Sequence, residues 1–248
     1  MSHTPFSESV SEALIRAAGH HAAAQRGSGS IEPAHPLSIA ISRETGTRGP
    51  AVARAVGNRL GWQVYDQELL ELVDNDLHVR AKLLEDLDER HISWLQECVE
   101  AFAAVPAVRE GKYVHHLIKA MLSLSARGDC VIVGRGSPFV LPAATTLRVR
   151  LTAPLEDRID VVSHERQIPR REAARLIALT DRTRAHFVRL YFQRDSSDPQ
   201  HYDLVLNSAQ FSIDQCARLI AEAIDANSLS QAVLAAGSHD LPMLVEAS

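Results

Sequence analysis

A chain of 248 residues, 46% hydrophobic and 23% charged, has the balance of a globular protein large enough to bury a core without disulfide or metal staples. A net charge of −5 argues against a general nucleic-acid binder, and no apolar run approaches the ~20 residues of a membrane span. The first 36 residues carry no secretory pattern, and Cys98, Cys130 and Cys216 lie far apart without metal or redox spacing, so a reducing, cytoplasmic setting is expected.

Residues 1–36 read as an N-terminal extension, a short Ala-rich helix followed by the flexible linker Arg26-Gly27-Ser28-Gly29-Ser30. The main domain is expected over 37–226. Its first strand is 37–41, followed by the turn-rich stretch 42–50 and a helix with Val52, Ala55, Val56 and Leu60 on one face. Gly61 stops that helix, and 62–65 resumes as a strand. Residues 66–104 read as helical and rich in carboxylates, and 113–126 as a second amphipathic helix. Further strands are expected at 130–133, 147–151 and 202–207. Residues 155–194 are helical with a break at Ile168-Pro169, Ser212 caps a helix over 213–226, and 227–248 reads as a loosely packed tail.

Five strands alternating with helices predict an α/β fold with a parallel sheet, in which ligands bind beyond the carboxyl ends of the strands. After the first strand comes Thr45-Gly46-Thr47-Arg48-Gly49, either a plain strand-to-helix turn or a loop whose amides receive phosphate. After the second comes Asp66, either a helix cap or an acceptor for a ligand hydroxyl. After the third, Gly134-Arg135-Gly136 sets a planar phosphate-binding fork between two residues that allow close approach. The basic residues are 23 Arg and only 3 Lys, and 158–194 alone holds nine arginines against four carboxylates. Most of these suit a solvated helix face, but Arg182 and Arg184, two residues apart, point to different faces and suit a lid. Little aromatic interleaving accompanies them, which disfavours a nucleic-acid partner.

In order and spacing these motifs resemble the cytidylate kinase-like family over about residues 37–225. The matching runs are Ile39 to Ile41 with Gly46-Thr47-Arg48-Gly49, then Tyr65-Asp66, Val131 to Gly136, Ala153 to Arg158, Asp181 to Arg184, and Asp198-Pro199 with Tyr202 to Asn207. The resemblance implies a three-layer P-loop nucleoside-monophosphate-kinase fold with a five-stranded parallel sheet and a helical lid. It implies ATP with Mg2+, and transfer of the terminal phosphoryl group to CMP, dCMP or a related small acceptor. By position, Thr45, Gly46, Thr47, Arg48 and Gly49 would line the donor phosphates, and Arg135 and Arg158 would hold the acceptor phosphate. Arg182 and Arg184 would be lid arginines, Asp66 would face the acceptor, and Asn207 and Ser208 would lie near the donor base.

This chain departs from that pattern. Gly49 stands at the phosphate-loop lysine, Ala51 at the magnesium-binding hydroxyl, Gly136 at an acceptor-reading Asp, and Leu72 at an acceptor-phosphate arginine. Arg48 within the loop, with Arg43 just before it as second choice, is expected to replace the lysine and to act in catalysis with Arg182 and Arg184; the alternative is that Arg48 points to solvent. The metal ligand stays unassigned. The alternative function is a nucleotide-binding sensor or regulator with little turnover.

Overall fold

The computed structural model describes residues 37–66, 100, 102 and 112–237. The expected helix over 66–104, Leu72 and Cys98 therefore fall almost entirely outside the described residues, as do the extension and the last eleven residues. The elements are β1 (Ser38–Arg43), α1 (Gly49–Leu60), β2 (Gln63–Tyr65), α2 (Lys112–Arg127), β3 (Cys130–Val133), α3 (Ser137–Val140), β4 (Thr146–Thr152), α4 (Leu155–Arg166), α5 (Arg170–Phe192), β5 (Leu204–Asn207) and α6 (Ile213–Gly237).

All strand pairs are parallel, in the order β2-β3-β1-β4-β5. Side-chain alternation sends Ile39, Ile41, Val131, Val133, Val149 and Leu151 to one face, where they pack on Val52, Ala53 and Val56 of α1 and Ala217 and Ile220 of α6. Ala40 and Ile132 face the other side, against Leu117, Ile118 and Met121 of α2. Helices on both faces of a parallel sheet make three layers, the architecture that the strand–helix alternation predicts.

The helix ends follow local chemistry. Gly61 closes α1 in the left-handed conformation (φ 72°). Ser212 and Gln215 form a reciprocal cap on α6, Gln215 N donating to Ser212 Oγ and Ser212 N to Gln215 Oε1. Helix α6 runs on to Gly237, past its expected end at 226, because the added residues are mostly Ala, Leu, Ser and Gln and the first helix stop is that glycine. Helices α4 and α5 form a hairpin across Gln167 and Pro169, with its own small core of Ile159, Val162, Ala173 and Ile177.

Two thiols test the packing. Cys130 in β3 is 1% exposed, and burial pushes its pKa up to about 12; burial raises that of Cys216 as well. Thiolate is the reactive form, so neither is expected to react with iodoacetamide in the folded protein at pH 8. Peptide mass spectrometry before and after unfolding reads this, and native labelling of Cys130 would mean that the sheet opens.

Candidate functional site

The chain leaves β1 toward β2 on one side of the sheet and leaves β3 toward β4 on the other. A crevice opens between the carboxyl ends of these two neighbouring strands. Gly134, Arg135 and Gly136 follow β3 with φ of 80°, 52° and 79°. Glycine is suited to two of these left-handed positions, while Arg135 adopts its own at a cost of roughly 1–2 kcal/mol. A Cβ on Gly136 would overlap the Phe192 ring, so no side chain fits at position 136 while Phe192 stays in place.

Arg43 ends β1 and lays its guanidinium directly on Gly134, where a Cβ would overlap Nη1. Burial, with Arg184 and Arg135 close by, pushes its pKa down to about 10, and Asp66 and Asp181 oppose the shift. Burial likewise lowers that of Arg184, with Asp181 opposing and Arg135 adding. Like charges have been gathered here, which stabilises nothing until an anion arrives. A cavity of about 390 Å³ opens on this cluster. Arg43, Arg135, Arg150, Arg184 and Arg189 line it against three carboxylates, with Phe139 and Phe187 as an apolar wall.

The loop after β1 is tied to the α4–α5 hairpin, the expected lid. Thr45 N and Oγ1 donate to Asp181 Oδ1 at 2.9 and 2.7 Å. Arg158 Nη1 donates to Asp181 Oδ2 at 2.6 Å and to the Thr45 carbonyl at 3.2 Å, while its Nε lies 3.5 Å from Glu44 Oε2. Arg184 Nη1 donates to Thr45 Oγ1 at 3.0 Å. The Asp181 carboxylate therefore sits in an amide, hydroxyl and guanidinium setting of the kind that receives a phosphate. On the far side of the loop, Gly46, Arg48, Ala153, Asp157 and Ser208 line a second cavity of about 260 Å³.

These placements sort the sequence candidates. Arg135 and Arg184 meet in the larger cavity, with Asp66 near enough to act on Arg43. Arg158 lines neither cavity; its Nε donates to the Ala153 carbonyl and its Nη1 to Asp181 and the Thr45 carbonyl. Arg182 is exposed and lines neither cavity, since two residues along a helix turn it to another face. Arg48 is an uncapped left-handed N-cap of α1, half exposed, with Nε 4.0 Å from Glu165. Thr47 is buried and donates to the Glu44 carbonyl, Asn207 Oδ1 accepts from Ala209 N, and Ser208 Oγ donates to the Thr152 carbonyl. Gly49 opens α1 beneath the Arg43 stem.

Sequence reasoning missed Arg150, Asp181 and Glu44. Arg150, 8% exposed, donates to Ser42 Oγ at 3.1 Å and lies 3.5 Å from Glu44. Two arginines inside the strand Thr146–Thr152 were its signal, because a charged residue within a buried run needs a partner. Among the described residues no group of three or more His, Cys, Asp or Glu side chains is gathered that could hold a metal ion; Ala51 has no hydroxyl, and Glu44 and Asp181 are paired with arginines.

A model of the cytidylate kinase-like family matches residues 38–210. A cytidylate kinase from Methanopyrus kandleri is 31% identical over 107 residues, 40% of this chain and 55% of that protein. A stretch of 93 residues, 37% of this chain, is 31% identical to part of a uronate isomerase from Corynebacterium glutamicum, 18% of that protein. The chain thus matches little more than half of the kinase and under a fifth of the isomerase. An uncharacterized protein from Eubacterium ventriosum superposes with a TM-score of 0.61 at 21% identity, over 77% of this chain and 99% of that one, a likeness of fold. With the family match running from β1 to beyond β5, over the sheet and lid described above, the chain belongs to the cytidylate kinase-like family.

Proposed function

We propose that the protein is a phosphotransferase that moves the terminal phosphoryl group of ATP to a small phosphate-bearing acceptor of the nucleoside-monophosphate type. The observation that carries this reading is the meeting of Arg43, Arg135 and Arg184 in one crevice beside the loop at the α1 N-terminus. Phosphoryl transfer asks chiefly for positioning and charge neutralisation, and buried guanidinium groups supply both. In this reading the donor nucleoside lies on the Gly46, Arg48 and Ser208 side of the loop, its terminal phosphates reach into the larger cavity beside Arg43 and Arg184, and the acceptor phosphate lies in that cavity at Arg135. The acceptor oxygen bonds to the γ-phosphorus as the bond to the β-bridging oxygen breaks, and ADP leaves. Arg135 orients the acceptor phosphate, Arg184 on the lid meets the transferring group, and the Phe139 and Phe187 wall accommodates a planar base and excludes water.

A second reading, a nucleotide-binding regulator without turnover, is favoured by Gly49 and Ala51 at the lysine and hydroxyl positions. A panel of nucleoside monophosphates, CMP and dCMP included, offered with ATP and Mg2+ and read by product formation, separates the two. Product with at least one acceptor is expected. ATP binding with no product from any acceptor overturns the kinase reading in favour of the regulator.

A further inference from the structure

We infer that Arg43 supplies the positive charge that a phosphate-loop lysine would supply, its side chain threaded past two glycines at which any Cβ would collide with it. This rests on the reading of the crevice as a phosphate site.

The first support is steric. A Cβ at Gly49, the position of the missing lysine, would lie 2.7 Å from Arg43 Cγ and 3.0 Å from its Cβ. The Arg43 stem therefore passes over position 49, so a side chain there and Arg43 in this path exclude one another. The second support is at the other end of the side chain. The guanidinium rests on Gly134, where a Cβ would overlap Nη1 and come within 2.8 Å of Cζ. The tip thus reaches the exit of β3 beside Arg135.

The third support is the state of the guanidinium. Its Nε is buried with no hydrogen-bond partner among the described residues. A buried donor left unmet is costly, and a phosphate oxygen entering the cavity is an acceptor of the right charge. Arg43 and Arg184 act on one another electrostatically, so an anion would meet both. The rival, Arg48, lies on the donor nucleoside's side of the loop, away from Arg135 and Arg184, with its half-exposed side chain 4.0 Å from Glu165.

The test uses the full chain and four variants, Arg43→Ala, Arg43→Lys, Arg48→Ala and the double variant Arg43→Ala/Gly49→Lys. Tripolyphosphate affinity is measured by calorimetry, turnover with any acceptor the panel yields, and folding by circular dichroism. Arg43→Ala is expected to weaken tripolyphosphate binding by about tenfold or more, and to lower kcat by ~100-fold or more where turnover exists, with the fold intact. Arg43→Lys is expected to fall between, because a point charge replaces a fork. With the stem gone, Lys at 49 has room, so the double variant is expected to regain at least about half of the lost binding free energy. Folded Arg43→Ala binding tripolyphosphate as the parent does would overturn the inference, as would a loss found with Arg48→Ala instead. A folded double variant that regains nothing would refute the shared space. Because tripolyphosphate binding needs no acceptor, a chain without turnover defeats the kinase reading and leaves this test standing.

Discussion

Gly46→Ala is expected to abolish nucleotide binding and to cost roughly 2–6 kcal/mol of stability, the sum of a strained left-handed backbone and overpacking against a rigid neighbour. Gly46 has φ of 91°, and a Cβ there would lie 2.7 Å from the Arg158 carbonyl oxygen, 2.8 Å from its Cβ and 2.9 Å from its Cα. These are backbone and stem atoms in the first turn of α4, which cannot swing aside as the tip of a side chain can. Either the loop or the helix must move. Moving the helix takes Arg158 away from Asp181, Thr45 and Glu44, so the damage reaches the lid. Gly61→Ala is the control. Its φ is 72°, yet nothing lies within 4 Å of the added atom, so only backbone strain of about 1–2 kcal/mol is expected. Urea unfolding of the two variants, with ADP titration, reads the difference. Equal stability losses would mean that the loop is not packed on α4 as described.

The sheet was legible because its strands are short, mostly apolar runs alternating with longer helical stretches, and that pattern leaves few alternatives. Cys130–Val133 comes out at the expected boundaries, and the first helix ends before Gly61 as expected but begins at Gly49, inside the stretch expected to be turn. Part of the crevice was legible too, since Gly134-Arg135-Gly136 at a buried strand end has no good packing explanation. The path of individual side chains was harder to read. Arg48 lies in the loop and Arg43 before it, yet a left-handed N-cap turns Arg48 outward while the β1 direction carries Arg43 inward. Arg158 and Asp181 are 23 residues apart, and only the fold of the lid hairpin brings them within 2.6 Å. A motif read in one dimension places Arg158 among free phosphate ligands. Three dimensions show its Nε and Nη1 donating to Ala153, Thr45 and Asp181.

Asp181→Asn and Asp181→Ala are expected to tighten binding of tripolyphosphate while lowering stability. Asp181 takes up the loop amide and hydroxyl of Thr45 and the Arg158 guanidinium, so an incoming phosphate must displace it to reach the same donors. Removing its charge leaves Arg158 and Arg184 less neutralised beside the loop. One unit charge at this range in a partly solvated site is worth on the order of 1 kcal/mol, or roughly fivefold in affinity. The opposite effect falls on the fold. The Asp181 side chain is 29% exposed, so its pair with Arg158 is discounted from a fully buried one, and a loss of about 1–2 kcal/mol is expected. Asn keeps an acceptor for Thr45 and should lose less than Ala. The gain in affinity should shrink as salt is raised, because it is a charge effect at a site open to solvent. Calorimetry at low and high salt, with denaturant melts of the same samples, checks both signs. If both variants bind tripolyphosphate more weakly than the parent, the carboxylate is part of the wall around the phosphate rather than its competitor. The lid would then have to close over a bound anion without giving up this contact.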